Sequence, residues 1–248
     1  MKRTAIVQSS YIPWKGYFSL IHMVDEFILY DDVQYTQRDW RNRNRIKTRD
    51  GASWLTVPVQ IKGKSRQRVR DTHVSSADWS ARHWRRIHQS YAHATAFAEV
   101  GPWVQGLYEE LAAETSLSAI NARFTRSIAA RLGITTPITC SMDYKVIEGR
   151  NERLIHLCRQ VGAGEYLTGP AASTYLDEAM FKAAGIRVLW MNYGGYPEYP
   201  QVFSPPFLHE VTVLDLLFNL GEEGARRYME GFRQGALRRA PFLAMEAE

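Results

Sequence analysis

Residues 4–33 read TAIVQSSYIPWKGYFSLIHMVDEFILYDDV, and this stretch decides the fold. Residues 4–8 and 26–33 are β-prone runs, and between them residues 16–24 carry apolar side chains at helical spacing. The second run is almost entirely apolar up to Asp31, as expected of a strand that is covered on both faces. Strand, helix and strand in so short a span form a βαβ unit, so the sequence predicts an α/β fold with a parallel sheet.

The rest of the chain extends this sheet after two insertions. Residues 41–47 alternate, residues 53–61 are β-rich, and the turn at 49–51 between them predicts a β-hairpin. Helical spacing then runs over 79–98, 102–114 and 117–132. We therefore predict a mostly parallel sheet of Rossmann-like, doubly wound type with an inserted β-hairpin and a helical segment. The remaining predicted elements are strands at 135–141, 165–168 and 187–191 and helices at 151–161, 173–184 and 211–220.

Length and composition favour one globular domain built from three segments. The chain has 248 residues, of which 45% are hydrophobic, enough for a full core. We predict an N-terminal α/β half with the basic hairpin at 1–75, a helical insert at 76–134 and a C-terminal α/β half at 135–248. The two cysteines have no zinc spacing, and no apolar run reaches the roughly 18 residues that span a bilayer. These features predict a cytoplasmic protein without a metal signature or a transmembrane segment.

Positive charge is concentrated in one part of the chain. The net charge is +5, and between residues 38 and 70 the cations far outnumber Asp39 and Asp50. Such a local excess predicts an anionic partner, either a phosphate-bearing small molecule or an acyl carrier protein or tRNA bound through the hairpin. The cations of this region are Arg38, Arg41, Arg43, Arg45, Lys47, Arg49, Lys62, Lys64, Arg66, Arg68 and Arg70.

Candidate catalytic residues follow the first two predicted strands. Gln8 ends the first strand, and Asp31 and Asp32 end the second, at the edge of a parallel sheet where ligands bind. Paired carboxylates can act as a general base or orient an amine, although one can equally cap a turn while the other is solvated. Asn42 and Asn44 share one face of the third strand and can hydrogen-bond a substrate.

Candidate substrate-binding residues surround these positions. Arg41, Arg43, Arg45 and Lys47 share the face of that strand opposite the asparagines. Arg43 and Arg45 suit bidentate contacts with phosphate, although a run of charge can also be a solvated face. Small residues at 168–173 link a strand to a helix and permit close backbone approach. Together with the two arginines, the predicted binding residues are Ser10, Tyr11, Trp14, Tyr17, Gly169, Glu198, Tyr199 and Gln201.

Several of these motifs together resemble the WbqC-like protein family, over nearly the whole chain. Two positions depart from that family's pattern: Ser9 stands where proline is usual, and Val7 stands where some members have histidine. The motifs that carry the resemblance are Gln8, Pro13, Gly16-Tyr17-Phe18, Asp31-Asp32-Val33, Asn42-Arg43-Asn44-Arg45-Ile46, Tyr166-Leu167-Thr168-Gly169-Pro170 with Tyr175-Leu176, and Pro197-Glu198-Tyr199-Pro200-Gln201.

The resemblance implies a role in bacterial surface polysaccharides. Its members are associated with O-antigen and other lipopolysaccharide gene clusters and are labelled glycine or acyl transferases acting on sugars. The first hypothesis is therefore an acyl or aminoacyl transferase that forms an amide on an amino sugar. Its donor would be acyl-CoA, an acyl carrier or an aminoacyl-tRNA. In this hypothesis Asp31 or Asp32 accepts the amine proton, and Gln8, Asn42 and Asn44 orient the carbonyl.

A second hypothesis is an ATP-dependent ligase or nucleotidyltransferase with a HIGH-like nucleotide-binding fold. The order of strand, polar turn and helix fits that fold in outline, but the chain lacks the HxGH signature and has only Pro13-Trp14-Lys15-Gly16 in its place. A third hypothesis is a non-enzymatic module that binds RNA or a carrier through the basic segments.

Overall fold

A computed structural model describes residues 1–238 and confirms the α/β class, with a parallel sheet flanked by helices and a separate antiparallel hairpin. The strands are β1 (Arg3–Val7), β2 (Glu26–Leu29), β3 (Arg43–Thr48), β4 (Gly51–Thr56), β5 (Ile138–Cys140), β6 (Glu165–Thr168) and β7 (Arg187–Trp190). The α-helices are α1 (Lys15–His22), α2 (Trp79–Tyr91), α3 (Phe97–Glu110), α4 (Leu117–Arg131), α5 (Arg150–Gln160), α6 (Glu178–Ala183) and α7 (Leu214–Arg238).

The parallel sheet has the strand order β5-β2-β1-β6-β7. Renumbered within this sheet alone, the order reads 3-2-1-4-5, which is the Rossmann-like arrangement. The chain moves outward from β1 in one direction as far as β5 and then crosses to β6 on the other side. The carboxyl ends of β1 and β6 therefore lie at the topological switch point, where open α/β sheets bind their ligands.

Helices cover both faces of this sheet because alternate strand residues point to opposite sides. Ile6 and Ile28 face a smaller core with Leu157 of α5 and Phe181 of α6. The larger core holds the other sheet face, represented by Phe27, together with α1, α4 and α7. Burial on both sides explains why residues 27–29 of β2 form a continuous apolar run rather than an alternating one.

The connection between β2 and β5 contains the hairpin and the three long helices α2, α3 and α4. Strands β3 and β4 pair antiparallel in the register Arg45↔Trp54, and Ile46 and Leu55 point into the larger core. The predicted hairpin is confirmed, although β4 ends at Thr56 rather than continuing to residue 61. The predicted helix at 79–98 is wrong in length, since the chain turns after Tyr91 and starts α3 at Phe97. This break lets Phe97 stack on Trp84 of the preceding helix.

Two further segments are shaped by side-chain contacts. Residues 62–70, in which cations alternate along the chain, form turns that end in a 3₁₀ turn over Val69–Asp71. Ion pairs from Arg68 to Asp71 and from Arg70 to Asp32 favour this compact path. The predicted helix at 173–184 is also divided, because the Asp177 side chain caps a new helix by accepting the Met180 N–H.

The last predicted helix, at 211–220, is longer in the structure and has a kink. Helix α7 runs over Leu214–Arg238, and Gly221 interrupts it with a φ of 69°. The Glu99 carboxylate of α3 accepts the Glu222 N–H at 3.0 Å, which satisfies a backbone donor that the kink leaves without an intrahelical partner. The kink thus fixes how α7 lies against α3.

The kink predicts that alanine substitutions at two glycines of α7 change the free energy of unfolding in opposite directions. Gly221→Ala should lower the free energy of unfolding by about 1–2 kcal/mol, because an alanine resists positive φ. A Cβ there would also lie 2.8 Å from the Glu99 Oε2 atom. Gly231→Ala, where no atom lies within 4 Å of the added carbon, should raise it by about 0.5–1 kcal/mol. Urea denaturation measures both, and equal shifts would contradict the assigned kink.

Candidate functional site

A cleft lies at the carboxyl edge of the parallel sheet and consists of two adjoining cavities. They share lining residues, among them Trp14, Tyr17, Arg41 and Tyr193. The first, which we name the aromatic lobe, has a volume of about 640 Å³. The second, which we name the cationic lobe, has a volume of about 960 Å³. The aromatic lobe is further lined by Trp40, Tyr196, His209 and Glu210, and the cationic lobe by Gln8, Gly149, Arg150, Arg153 and Gly169.

The loop after β1 forms the floor of this cleft and is held by buried side chains. Ser9 is fully buried and donates its N–H to the Asp31 Oδ1 atom at 2.9 Å. Asn44 of β3 donates to the carbonyls of Tyr11 and Ile12, at 3.1 and 3.0 Å, and so supports Ile12 in a positive φ of 35°. These hydrogen bonds give the loop a defined shape, although it lies outside the helices and strands.

Trp14 and Gly16 shape the wall that both lobes share. The indole of Trp14 lies so close to α1 that a Cβ on Gly16 would stand 2.2 Å from its Cζ2 atom. Only glycine leaves room for this ring. Trp14 also contacts Tyr193 and Tyr196, with ring centroids 5.2 and 5.9 Å apart. These rings form an aromatic surface at the start of α1.

Arg41 is the most unusual side chain of the cleft. It is only 9% exposed and lines both lobes. Its Nε and Nη1 atoms are buried and have no hydrogen-bond partner within residues 1–238. The nearest carboxylate oxygen, from Asp39, stands 3.9 Å from Nε. Since buried charges are normally paired, this guanidinium can accept an anionic ligand without losing an internal bond.

The cationic lobe adds two arginines from the first turn of α5. Arg150 lies over the Tyr175 ring at 5.0 Å, and Arg153 donates to the Ile147 carbonyl at 2.7 Å. Gly169, which follows β6, lines the same lobe. Glu148 lies at the rim and pairs only loosely with Arg153, at 3.7 Å. Three arginines and the positive end of a helix make this lobe attractive to anions.

The structure places Asp31 and Asp32 beneath the cleft rather than in its lining. Asp31 is fully buried and accepts hydrogen bonds from the Ser9 N–H and the Ser118 hydroxyl. Asp32 is 8% exposed, pairs with Arg70 and accepts the Ser141 hydroxyl at 2.6 Å. Both carboxylates thus hold segments together, and a catalytic role for them stays a prediction.

The other predicted catalytic residues divide between the cleft and the core. Gln8 lines the cationic lobe, and Asn44 lines the aromatic lobe while its amide holds the floor loop. Asn42 is buried outside the cleft, donates to the Val57 carbonyl at 2.8 Å and leaves its oxygen without a partner in the described chain. Of the three amides that were expected to orient a carbonyl, only two therefore reach the cleft.

The predicted binding residues divide in the same way. Ser10, Trp14, Tyr17 and Gly169 line the cleft. Tyr11 instead lies in the core, where its hydroxyl contacts His83 Nδ1 at 2.7 Å and the Tyr108 hydroxyl at 2.5 Å. Arg43 and Arg45 lie on the outer face of the hairpin, beside Trp54. Glu198 is an exposed residue of the loop that follows Tyr193.

Tyr199 and Gln201 belong to a buried network around Asp215. Both donate to the Asp215 Oδ2 atom, at 2.6 and 2.7 Å. Lys47 joins them by donating to the Gln201 Oε1 atom at 2.8 Å, so it is buried and is not exposed beside Arg43 and Arg45 as alternation predicts. The loop over 201–206 covers this end of β3 and buries the lysine. The network anchors that loop behind the aromatic lobe.

Lys15 connects the same loop to α1. Its Nζ atom donates to the His209 carbonyl at 2.9 Å and lies 5.3–5.9 Å from the ring centroids of Tyr196, Tyr199 and Phe207. Burial lowers the pKa of the lysine to about 8, although Asp215 opposes this shift. Burial and the nearby Lys15 charge also lower the pKa of His209, whose imidazole is therefore neutral near pH 7.

Sequence reasoning missed several residues that line the cleft. Alternation places Arg41 on a charged strand face. The predicted site residues do not include Arg150, Arg153, Tyr193 or His209. A glycine directly before a helix that begins with arginine, at Gly149-Arg150, is a signal that could have indicated an anion site. No group of three or more His, Cys, Asp or Glu residues in the described chain is placed to hold a metal ion. No described helix is long and apolar enough to cross a membrane.

Fold and cleft define a Rossmann-like α/β protein with a ligand-sized site at the switch point of its sheet. The chain belongs to the WbqC-like protein family, whose model matches residues 8–227. It is also similar to the uncharacterised protein Rv1507c of Mycobacterium tuberculosis, with 50% identity over 234 residues that cover 94% of this chain and 100% of the relative. No solved structure matches the chain.

Lys15 gives the stability of the protein a distinct pH dependence. The folded state disfavours the charged amine, because the pKa falls from 10.5 to about 8, so the unfolded chain binds more protons between these values. Lys15→Met removes this effect. The free energy of unfolding of the wild type, relative to Lys15→Met, should therefore rise by roughly 2 kcal/mol from pH 7.5 to 9.5. Urea titrations at several pH values measure it, and a flat difference would contradict the assignment.

Proposed function

We propose that the protein is an acyl or aminoacyl transferase that forms an amide on a phosphate-bearing amino sugar, in bacterial surface-polysaccharide or related biosynthesis. The observation that carries the proposal is the Arg41 guanidinium, two of whose nitrogens have no hydrogen-bond partner in the described chain, in the wall of a cleft at the switch point of the sheet. A phosphate group would supply the oxygen acceptors that this guanidinium lacks. Arg150 and Arg153 would neutralise a second phosphate in the cationic lobe.

The aromatic lobe supplies the complementary part of the site. Trp14, Tyr193 and Tyr196 give it flat apolar walls, and sugar rings present apolar faces that pack on such rings. Ser10 and Asn44 add hydroxyl and amide groups that can fix orientation. We place the amino sugar here, with its phosphate directed past Arg41 into the cationic lobe.

Amide formation requires the sugar amine to attack an activated carbonyl carbon while its donor group leaves and a proton is removed. His209 lines the aromatic lobe, and its lowered pKa keeps the imidazole neutral and able to accept that proton. Gln8 would donate its amide to the developing oxyanion. In this arrangement Asp31 positions the floor loop and Asp32 holds Arg70 and Ser141. The alternative is that one of these carboxylates is the base.

A second candidate, an ATP-dependent ligase or nucleotidyltransferase, is favoured by one observation. The strand order 3-2-1-4-5 and its switch-point cleft also suit a nucleotide whose phosphates lie at the carboxyl ends of the strands. The two candidates differ in what activates the acyl group. A ligase binds ATP with magnesium in the cleft, whereas a transferase takes a preformed ester or thioester.

The binding prediction compares two arginines that differ in partners. Arg41→Met should weaken UDP-glucosamine binding tenfold to a hundredfold, or about 1.4–3 kcal/mol, because charge-assisted bonds to phosphate are lost. It should leave the free energy of unfolding unchanged or higher, because the buried guanidinium lacks two hydrogen bonds and its ion pair with Asp39 spans 3.9 Å. Arg70→Met is the control. It leaves the 8% exposed Asp32 unpaired and should cost about 1–3 kcal/mol of stability without changing affinity.

Calorimetry and urea denaturation measure these quantities. Equal UDP-glucosamine affinity in wild type and Arg41→Met, or no binding by either, would exclude the cleft as the phosphate site. Adding ATP and magnesium in a parallel titration separates the two candidates, since only the ligase requires tight ATP binding. Product formation is followed by the mass increase of UDP-glucosamine with glycyl-tRNA, an acyl-CoA, or glycine and ATP as donors.

The proton acceptor is tested with two variants. His209→Gln should lower turnover by roughly 10²–10⁴-fold, the range for loss of a general base, with little change in stability. In the wild type, turnover should fall as the pH decreases through a pKa below 6.5, because the imidazole must be neutral to accept a proton. Asp32→Asn should lower stability and leave the turnover of folded protein unchanged. Lost turnover in Asp32→Asn alone would instead identify that carboxylate as the base.

A further inference from the structure

The outer face of the hairpin carries two exposed tryptophans, of which Trp54 lies outside the lining of the cleft. Trp40 and Trp54 are 40% and 38% exposed, and their ring centroids lie 5.3 Å apart at an interplanar angle of 40°. Trp40 comes from the turn before β3, and Trp54 lies on β4 opposite Arg45. We name this surface, made of Trp40, Arg43, Arg45 and Trp54, the hairpin face. Large apolar side chains grouped at the surface indicate an interaction site.

Two arginines are stacked on these rings. The Arg43 guanidinium carbon lies 4.2 Å from the Trp54 ring centroid, and that of Arg45 lies 5.6 and 5.5 Å from the Trp40 and Trp54 centroids. This stacking holds the two long arginine side chains in place. It leaves guanidinium N–H donors that can bind an acceptor on a ligand. Arg43 donates to the Arg38 carbonyl, and Arg45 pairs with Glu210.

The Arg45 ion pair does not neutralise the surface. The Glu210 side chain is 77% exposed, and ion pairs to exposed carboxylates in water are weak and easily exchanged. Arg86 of α2 adds a further cation behind Trp54, where it donates to the Trp54 carbonyl at 3.0 Å and to the Ser53 hydroxyl. Aromatic planes interleaved with arginines are the surface on which unpaired nucleic-acid bases stack while their phosphates contact the cations.

The hairpin face leads directly into the cleft. Trp40 contributes to both, since it also lines the aromatic lobe with Arg41 and Glu210. A chain bound along the hairpin face can therefore place its terminal unit beside the aromatic lobe. An acidic protein partner would explain the arginines of this surface but not its two adjoining tryptophan rings.

We propose that the hairpin face binds the unpaired 3′ end of an RNA, with its terminal bases stacked on Trp40 and Trp54 and its phosphates on Arg43 and Arg45. The delivery of an aminoacyl ester to the cleft by this RNA rests on the proposed function, whereas the binding itself does not. The proposal selects a donor of the aminoacyl-tRNA class over acyl-CoA or an acyl carrier protein.

Binding is tested with a short single-stranded RNA ending in CCA, labelled with a fluorophore and titrated at two salt concentrations. Trp54→Ala and Trp40→Ala should each weaken binding by about tenfold, the usual loss for one stacked base. Arg43→Ala should reduce the slope of log affinity against log salt by about one. Lys62→Ala, an exposed cation of the loop beyond the hairpin, is the matched control and should change affinity little.

Three results would overturn the proposal: no binding by the wild type, tryptophan variants that bind as well as Lys62→Ala, or equal affinity for a blunt duplex. Competition by AMP at the concentration of the RNA would identify a free-nucleotide site and overturn it as well. Urea denaturation checks that each variant remains folded. Arg41→Met separates the two proposals, because it should bind this RNA normally even where sugar-nucleotide binding is lost.

Discussion

The Asp31 carboxylate is the interaction on which the rest of the site depends. It is fully buried and joins three parts of the chain, since it follows β2, accepts the Ser9 N–H from the loop after β1 and accepts the Ser118 hydroxyl of α4. A buried carboxylate is costly unless its oxygens are satisfied, so the fold retains it only when all three segments meet. Asn121 of α4 extends the junction by donating to the Ser9 Oγ atom and to the Arg41 carbonyl.

This junction explains how an arginine with two unsatisfied nitrogens can be maintained in the wall of a cleft. The backbone of Arg41 is held by Asn121, whereas its side chain has only the distant Asp39 for charge balance. The desolvation cost of the guanidinium is offset by the surrounding network rather than by a local partner. Stability stored elsewhere in a fold commonly supports such unsatisfied groups at functional sites.

The general fold and the position of the cleft could be predicted because their signals are local. The strand-helix-strand pattern of 4–33 and the small residues around Gly169 identify the strand ends that meet at the switch point. Side-chain direction could not be predicted in the same way. Asp31 and Asp32 have the pattern of a catalytic pair, but Ser118, Arg70 and Ser141, which satisfy them, lie far away in the chain.

The basic run shows the same limit within a few residues. Alternation places Arg41 on one face with Arg43 and Arg45, but it applies only inside a strand, and β3 begins at Arg43. The turn at Arg38, with a φ of 59°, directs Arg41 into the cleft instead. The prediction that Lys47 is exposed is wrong for a different reason. A loop from the other end of the chain covers this lysine.

The position of β1 in the sheet has a consequence for the synthesis of the protein. This central strand is synthesised well before β6, because Arg3 and Glu165, which join the two strands, are 162 positions apart. One side of β1 therefore remains an open edge until β6 has been made, and such edges attract other extended chains. Contacts of this sequence separation also slow folding. The edge closes when β6 pairs with β1.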